Sequence, residues 1–130
     1  MSARKSLEIE GFGHGVQPIP AACRIGSLIT TGGVYGLDTA SGKMPDDIES
    51  QAKFMFANLR RILQAGGADY DNVAKMTVFV KVPEARAAVN TEWMKAFPDP
   101  ASRPARHTLQ NDHLPGNMLV QCDVIAWVGE

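Results

Sequence analysis

The sequence has few cysteines and no long apolar run, and each shortage excludes a class of protein. Cys23 and Cys122 are far apart in mainly apolar surroundings, so we expect two free, buried thiols in a reducing compartment. No stretch of the chain approaches the roughly 20 apolar residues of a membrane helix. The first fifteen residues also lack the apolar core of a signal peptide. We therefore expect a cytoplasmic protein that does not bind a membrane.

Positive charge is also scarce, which argues against a nucleic-acid partner. The net charge is −1, whereas nucleic-acid-binding proteins gather Lys and Arg on one face. Here the basic residues form small, scattered groups such as Arg60 with Arg61. We expect no nucleic-acid partner.

Motifs for metals, nucleotides and covalent catalysis are missing as well. His14, His107 and His113 are not spaced four residues apart on a helix, and no Cys-x-x-Cys occurs, so zinc spacing is absent. The glycines at 11, 13 and 15 open no strand-turn-helix unit, which excludes a dinucleotide fingerprint. Cys122 lies in an apolar strand, unlike the basic, partly exposed setting of a reactive cysteine.

What is present predicts one α+β domain over residues 1–130. Hydrophobic residues make up 45 % of the 130 residues, enough for a core. The pattern gives the order β-β-α-β-α-β-β, with two helices packed on one face of a sheet. The expected strands are Cys23–Ile25, Leu28–Gly33, Val73–Val80, Arg106–Gln110 and Met118–Val128, and Gly11–Pro20 is expected to be an irregular arm.

Helical periodicity places the two helices. The first has an apolar stripe, capped by Asp46 with Glu49 and ended by Gly66 and Gly67. Its stripe is Ile48, Ala52, Met55, Phe56, Leu59, Ile62 and Leu63. Pro83 is expected to open the second helix, whose buried stripe is Val89, Trp93 and Phe97.

The strand Val73–Val80 is largely apolar on both faces, the pattern of a strand covered on both sides. The two predicted helices would cover one face of this strand. With so little chain left over, contact with another subunit is the expected second cover.

One segment could carry chemistry, Ser102 to His107. Pro104 fixes the entry into a strand and presents Arg106 near its start, at a sheet edge. A planar guanidinium is the best side chain for a bidentate grip on a carboxylate. The alternative is a surface arginine paired with Asp or Glu, and the residues alone leave both interpretations open.

From about Ile25 to Ala126 the chain resembles the RidA/YjgF family of reactive-intermediate deaminases. No single motif is unique, but the ordered series is specific. Its members include Ile29-Thr30-Thr31-Gly32-Gly33, Gln51, Asn58, Ala65-Gly66-Gly67, Val73–Val80, Val89-Asn90, Pro104-Ala105-Arg106, Leu114-Pro115 and Val124-Ile125-Ala126.

This resemblance implies a chorismate-mutase-like fold with a mixed six-stranded sheet, assembled as a homotrimer around a central barrel. It implies clefts between subunits in which Arg106 binds the carboxylate of an imine or enamine acid. Water then attacks the C=N carbon, and ammonia leaves with a keto acid as the product, with no metal or organic cofactor. Gly33 and the backbone at Thr108 would contact the substrate, while Asn90 and Thr31 would shape the pocket wall.

Three departures from the family pattern affect the expected site. Ile19 stands where better-known members have a pocket tyrosine, Gly32 where they have serine, and Gln121 where they have a glutamate that orients or activates water. An amide can position water but cannot accept a proton at neutral pH. Asp123, two residues on, shares the strand face with Gln121 and could take over, or could be a sheet-end or interface carboxylate. His14 and His113 lie in loops that could reach a cleft, whereas His107 should point away from Arg106.

Three functions compete at this point. The first is a hydrolase, either a 2-iminobutanoate/2-iminopropanoate-type or a 2-aminomuconate-type deaminase. The second is a non-catalytic trimer that binds or senses small carboxylate metabolites. The third comes from old family labels, ribonuclease or translation inhibitor, and the net charge of −1 argues against it.

Overall fold

The computed structural model describes residues 3–129, which form seven strands and two α-helices. The helices are α1 (Ile48–Ala65) and α2 (Ala85–Ala96). The strands are β1 (Lys5–Leu7), β2 (Ala22–Ile25), β3 (Leu28–Thr31), β4 (Val34–Tyr35), β5 (Val73–Val80), β6 (Ala105–Gln110) and β7 (Val120–Trp127). A short 3₁₀ turn, Tyr70–Asn72, precedes β5. No helix in this part of the chain is long and apolar enough to cross a membrane.

The strands form a mixed sheet in the order β1-β2-β3-β7-β5-β6, with β4 also paired to β7. Only β5 and β6 are parallel, and α2 makes the crossover between them, as parallel neighbours require. This α+β arrangement confirms the predicted chorismate-mutase-like fold class. The sheet has seven strands and not the six that the resemblance implied. The five strands of the sequence pattern omit β1 and β4, which have three and two residues, too few to show an alternating pattern.

Helix α1 packs on one face of the sheet, and its predicted stripe is buried except for the half-buried Ile48. The predicted cap was wrong by one residue. Asp47, not Asp46, accepts the backbone N–H of Ser50 at 2.9 Å. The end was predicted correctly, since Gly67 has φ +83°, the left-handed conformation that glycine adopts at low cost.

Helix α2 begins at Ala85 and not at Pro83. Pro83 lies in the preceding turn, where its carbonyl accepts the N–H of Arg86 at 3.2 Å. Val89 and Phe97 are buried as expected, while Trp93 is only half-buried. The ring of Trp93 contacts a side chain of the candidate site described below.

The second face of the sheet is less apolar than the sequence indicated. In β5, Met76, Val78 and Val80 are buried beneath the helices, but the alternate side chains are half-buried. We call this second side the open face, defined by Lys75, Thr77 and Phe79 of β5, Gln121, Asp123, Ile125 and Trp127 of β7, Cys23 and Ile25 of β2, and His107 and Leu109 of β6. Four of its apolar side chains are 45–58 % exposed, namely Ile25, Leu109, Ile125 and Trp127.

The two cysteines are free, as predicted, but differ in burial. Cys122 is fully buried in β7, and this burial raises the pKa of its thiol. Cys23 is only half-buried, within 3.5 Å of the Thr30 hydroxyl on the open face.

Candidate functional site

The guanidinium of Arg106 is held by three neutral groups. Its Nε donates to the Thr108 hydroxyl at 2.9 Å, and its Nη2 donates to Oδ1 of Asn90 at 2.7 Å. Its central carbon lies 4.9 Å from the centre of the Trp93 ring, within the range of a cation–π contact. Strand β6 supplies Arg106 and Thr108, while Asn90 and Trp93 come from successive turns of α2.

In the described part of the chain, Arg106 therefore does not form a surface ion pair with Asp or Glu, which was the alternative interpretation of the sequence. The two salt bridges found in residues 3–129 are Arg60 with Asp69 and Lys95 with Glu92. Burial, and then the positive charge of Arg86, lower the pKa of Arg106, but an arginine remains charged in proteins. A fixed cation with neutral partners is suited to bind an anion.

A second cluster forms where β4 runs beside β7. The side-chain amide of Gln121 lies against Gly33, so closely that a Cβ at Gly33 would be 2.7 Å from Cδ of Gln121. Only glycine leaves room for the amide in this position. The amide nitrogen of Gln121 also lies 3.6 Å from the sulfur of Met118.

The irregular arm is tied to this cluster by two hydrogen bonds. Nε2 of His14 donates to the carbonyl of Gly33 at 2.8 Å, and the Tyr35 hydroxyl donates to the carbonyl of Gly13. Burial raises the pKa of Tyr35. The sequence placed His14 in a loop that could reach a cleft and did not indicate Tyr35, although Tyr35 follows Gly33 by two residues.

Ile19 and Thr31 lie at the border of the second cluster. Ile19 is 52 % exposed and, with Gln121, lines an open cavity beside it. Thr31 lines a neighbouring depression with Ile19. Its hydroxyl oxygen accepts the backbone N–H of Val124 at 3.0 Å and so links β3 to β7.

The sheet separates the two clusters within one chain. Arg106 pairs with Met76, whose buried side chain points to the helices, so Arg106 lies on the helix side. Gln121 pairs with Phe79 on the open face. The structure brings Asn90 and Thr108 to Arg106, and Gly33 and Ile19 to Gln121, but it does not bring the two groups together.

The remaining candidates lie on the open face or in loops. Asp123 is half-buried opposite Thr77, and this burial raises its pKa against the lowering effect of Lys75. His107 pairs with Thr77 and is exposed on the face opposite Arg106, as predicted. His113 is exposed in the loop before β7. Among residues 3–129, no three His, Cys, Asp or Glu side chains are grouped to hold a metal ion.

Comparison with known proteins gives consistent matches over nearly the whole chain. The family model described as endoribonuclease L-PSP matches residues 16–128. Reactive Intermediate Deaminase A of Arabidopsis thaliana chloroplasts is 34 % identical over 110 residues, covering 84 % of this chain and 58 % of that protein. The 2-iminobutanoate/2-iminopropanoate deaminase of Salmonella typhimurium is 28 % identical over 94 % of this chain and 96 % of its own.

A solved structure, Escherichia coli TdcF with bound serine, superposes with a TM-score of 0.86. It is 25 % identical and covers 96 % of this chain and 99 % of its own. The extent of the family match and the shared fold identify this chain as a member of the RidA/YjgF family, whose model carries the description endoribonuclease L-PSP.

Proposed function

We propose that this protein is a hydrolase that deaminates imine or enamine intermediates bearing a carboxylate, giving a keto acid and ammonia. The observation that carries the proposal is Arg106, a half-buried guanidinium fixed by Thr108, Asn90 and Trp93 with no carboxylate partner among residues 3–129. The Nη1 end of the fork would bind the substrate carboxylate. The named deaminases among its relatives support the reaction class.

The chemistry requires little beyond positioning. An enamine first takes a proton at its β-carbon and becomes an iminium ion, which loses a proton from nitrogen to give the imine. A water oxygen then bonds to the imine carbon while the C=N π electrons move to nitrogen. The nitrogen gains protons and leaves as ammonia, and the hydroxyl left on carbon loses its proton to become the keto group. Gln121 would orient the attacking water, since its amide oxygen accepts a hydrogen bond but not a proton.

The proposed site needs two copies of the chain. Arg106 and Gln121 lie on opposite faces of the sheet, so one chain cannot direct both at one small substrate. One subunit would contribute Arg106, Asn90 and Thr108. Its neighbour in a homotrimer would contribute Gly33, Gln121, Ile19 and Thr31. The exposed apolar side chains of the open face support such an assembly.

The deciding experiment measures ammonia release from freshly generated 2-aminoacrylate and from 2-aminomuconate, each against the rate without protein. We expect acceleration of at least one substrate, and loss of that acceleration when Arg106 is replaced. Absence of any acceleration across a panel of imino acids would contradict the proposal.

A second candidate function is a non-catalytic trimer that binds small carboxylates. Gln121 favours it, because its neutral amide, which lies beside Gly33, cannot accept a proton at neutral pH. Arg106-dependent binding of keto acids without turnover of any imine would establish this alternative.

A further inference from the structure

Beside Gly33 and Gln121 lies an open cavity of about 440 Å³. Pockets that bind drug-sized ligands have volumes of roughly 300–1,000 Å³. The cavity is therefore larger than a three-carbon imino acid requires. The chemistry of the residues that line the cavity should determine which ligand group it binds.

These walls are apolar or neutral. Apolar surface comes from five side chains, those of Ile19, Tyr35, Met44, Pro115 and Met118. Methionines adapt their shape to irregular ligands and make favourable contacts with aromatic rings. Among residues 3–129, no Lys, Arg, Asp or Glu lines this cavity.

Three of the polar side chains that line the cavity, His14, Tyr35 and Asn117, already donate hydrogen bonds to the protein. Nε2 of His14 donates to Gly33, and the Tyr35 hydroxyl donates to Gly13. The amide nitrogen of Asn117 donates to the Met44 carbonyl at 3.2 Å and to the Asp46 carboxylate at 2.9 Å. These bonds turn three donors toward the protein, and the remaining polar side chains of the wall, Gln17 and Gln121, are uncharged amides.

We propose that the cavity binds the side chain of the substrate, and that this side chain is bulky, uncharged and apolar or aromatic. The proposal rests on the proposed function, in which Arg106 of a neighbouring subunit binds the single carboxylate. A second carboxylate, as in 2-aminomuconate, would enter the cavity without a cation to offset its desolvation. The substrate class is the imines of large apolar monocarboxylic amino acids.

Stable 2-oxo acids, the products of such imines, test the cavity by binding alone. Calorimetric titration of the full chain should use pyruvate, 4-methyl-2-oxopentanoate, phenylpyruvate and 2-oxoadipate. Burial of one further methylene commonly tightens binding about fourfold. We expect 4-methyl-2-oxopentanoate and phenylpyruvate to bind at least tenfold more tightly than pyruvate and 2-oxoadipate. Equal binding of all four, or preference for 2-oxoadipate, would overturn the proposal.

A charge placed in the cavity should reverse this selectivity. Gln17 lines the cavity, whereas its neighbour Val16 is 97 % exposed and does not. Gln17→Arg should improve binding of 2-oxoadipate relative to phenylpyruvate by at least tenfold. The matched control Val16→Arg adds the same charge and should leave the ratio unchanged. An equal change in both variants would show a general charge effect and would contradict the assignment of the cavity.

Turnover of the corresponding imines separates this proposal from the proposed function. Selective binding without turnover of any imine would contradict deamination and still support the cavity assignment. Turnover of 2-iminopropanoate and of the larger imines at equal kcat/KM, with unselective binding, would support deamination and overturn the cavity assignment.

Discussion

At Arg106, the affinity for a carboxylate depends on how little the guanidinium must rearrange when the ligand binds. Thr108 and Asn90 fix two edges of the fork, and Trp93 covers one of its faces. The rotamer entropy of a long side chain is therefore lost on folding and not on binding. Lysine could not reproduce this geometry, since its ammonium is a point charge without a planar fork.

We predict that Arg106→Ala abolishes binding of small carboxylates and any deaminase activity while the chain remains folded. Charge-assisted hydrogen bonds contribute about 1.5–3 kcal/mol each, which corresponds to roughly 10- to 150-fold in affinity per bond. Arg106→Lys should be nearly as damaging. Titration with a 2-oxo acid and circular dichroism test this, with Lys95→Ala, an exposed cation on α2, as the control. Wild-type binding by Arg106→Ala would refute the assigned role.

At Gln121 we predict a positioning role. Imine hydrolysis already proceeds in water, so alignment of substrate and water can supply the needed acceleration without a strong base. Gln121→Glu should retain activity, and Gln121→Leu should lower kcat/KM. Gly33→Ala should act like Gln121→Leu, because the new Cβ would be 2.7 Å from the present position of Cδ of Gln121 and would displace the amide. The double variant should then be little worse than either single one.

The dependence of activity on pH is a second test of the role of Gln121. With Gln121 as the positioning group, the parent should show no activity limb near a carboxylate pKa of roughly 4–5. Burial raises the pKa of Asp123, so a base at Asp123 would give a limb above its ordinary value, with activity lost as the pH falls. Such a limb, removed by Asp123→Asn, would show that a carboxylate base exists.

Among the elements, α1 positions the cavity wall through one buried side chain. The amide nitrogen of Gln51 donates to the carbonyls of Pro45 and Asn117 at 2.7 and 2.8 Å. Its carbonyl oxygen accepts the backbone N–H of Leu119 at 2.8 Å. Gln51 therefore ties two loops to the start of the helix. One of these loops carries Met44 and the other carries Met118.

We predict that Gln51→Leu lowers the free energy of unfolding by about 3 kcal/mol, because it leaves three backbone groups without a partner and each such group costs about 1–3 kcal/mol when buried. Gln64→Leu, at an exposed position of the same helix, should change it by less than about 0.5 kcal/mol. Denaturant unfolding at one fixed protein concentration measures both. Equal free energies of unfolding for the two variants would show that Gln51 does not stabilise the attachment of these loops to α1.

The sequence predicts those elements whose periodic signal is long. The eighteen residues of α1 and the eight of β5 contain enough repeats to fix their type and most of their buried side. Gln51 and Asn58 are buried polar residues of α1 that an apolar stripe cannot indicate. Their burial depends on carbonyls of distant loops, which are brought near only by the folded chain.

In the whole molecule, the sequence named the candidate residues but did not show how they are divided between the two sides of the sheet. Arg106, Asn90 and Thr108 were named from the resemblance, and the structure places them together. Gly33 and Gln121 were named in the same way, and they form a separate cluster. Which face each side chain takes depends on strand register, and a shift by one residue would reverse it.

We predict that the protein is a homotrimer, about three times the 14.0 kDa mass of the chain, at micromolar concentration. Its open face exposes Trp127 by 58 % and Ile125 by 46 %, and such apolar surface is usually covered in assemblies. Ile125→Asp should shift the protein toward monomer, whereas Val16→Asp on the arm should not. Sedimentation velocity measures all three proteins, and a stable parent monomer would refute the assembly.

A ribosome delivers a chain from its N-terminus, and β7 is the last strand of this sheet to emerge. Yet β7 lies between β3 and β5 and pairs with β4 as well. Until residues 120–127 have left the exit tunnel, the earlier strands have exposed edges and no central partner, so they cannot close the core. Nascent chains stalled before this point should depend on chaperones or be degraded, and the sheet should assemble only after β7 has left the exit tunnel.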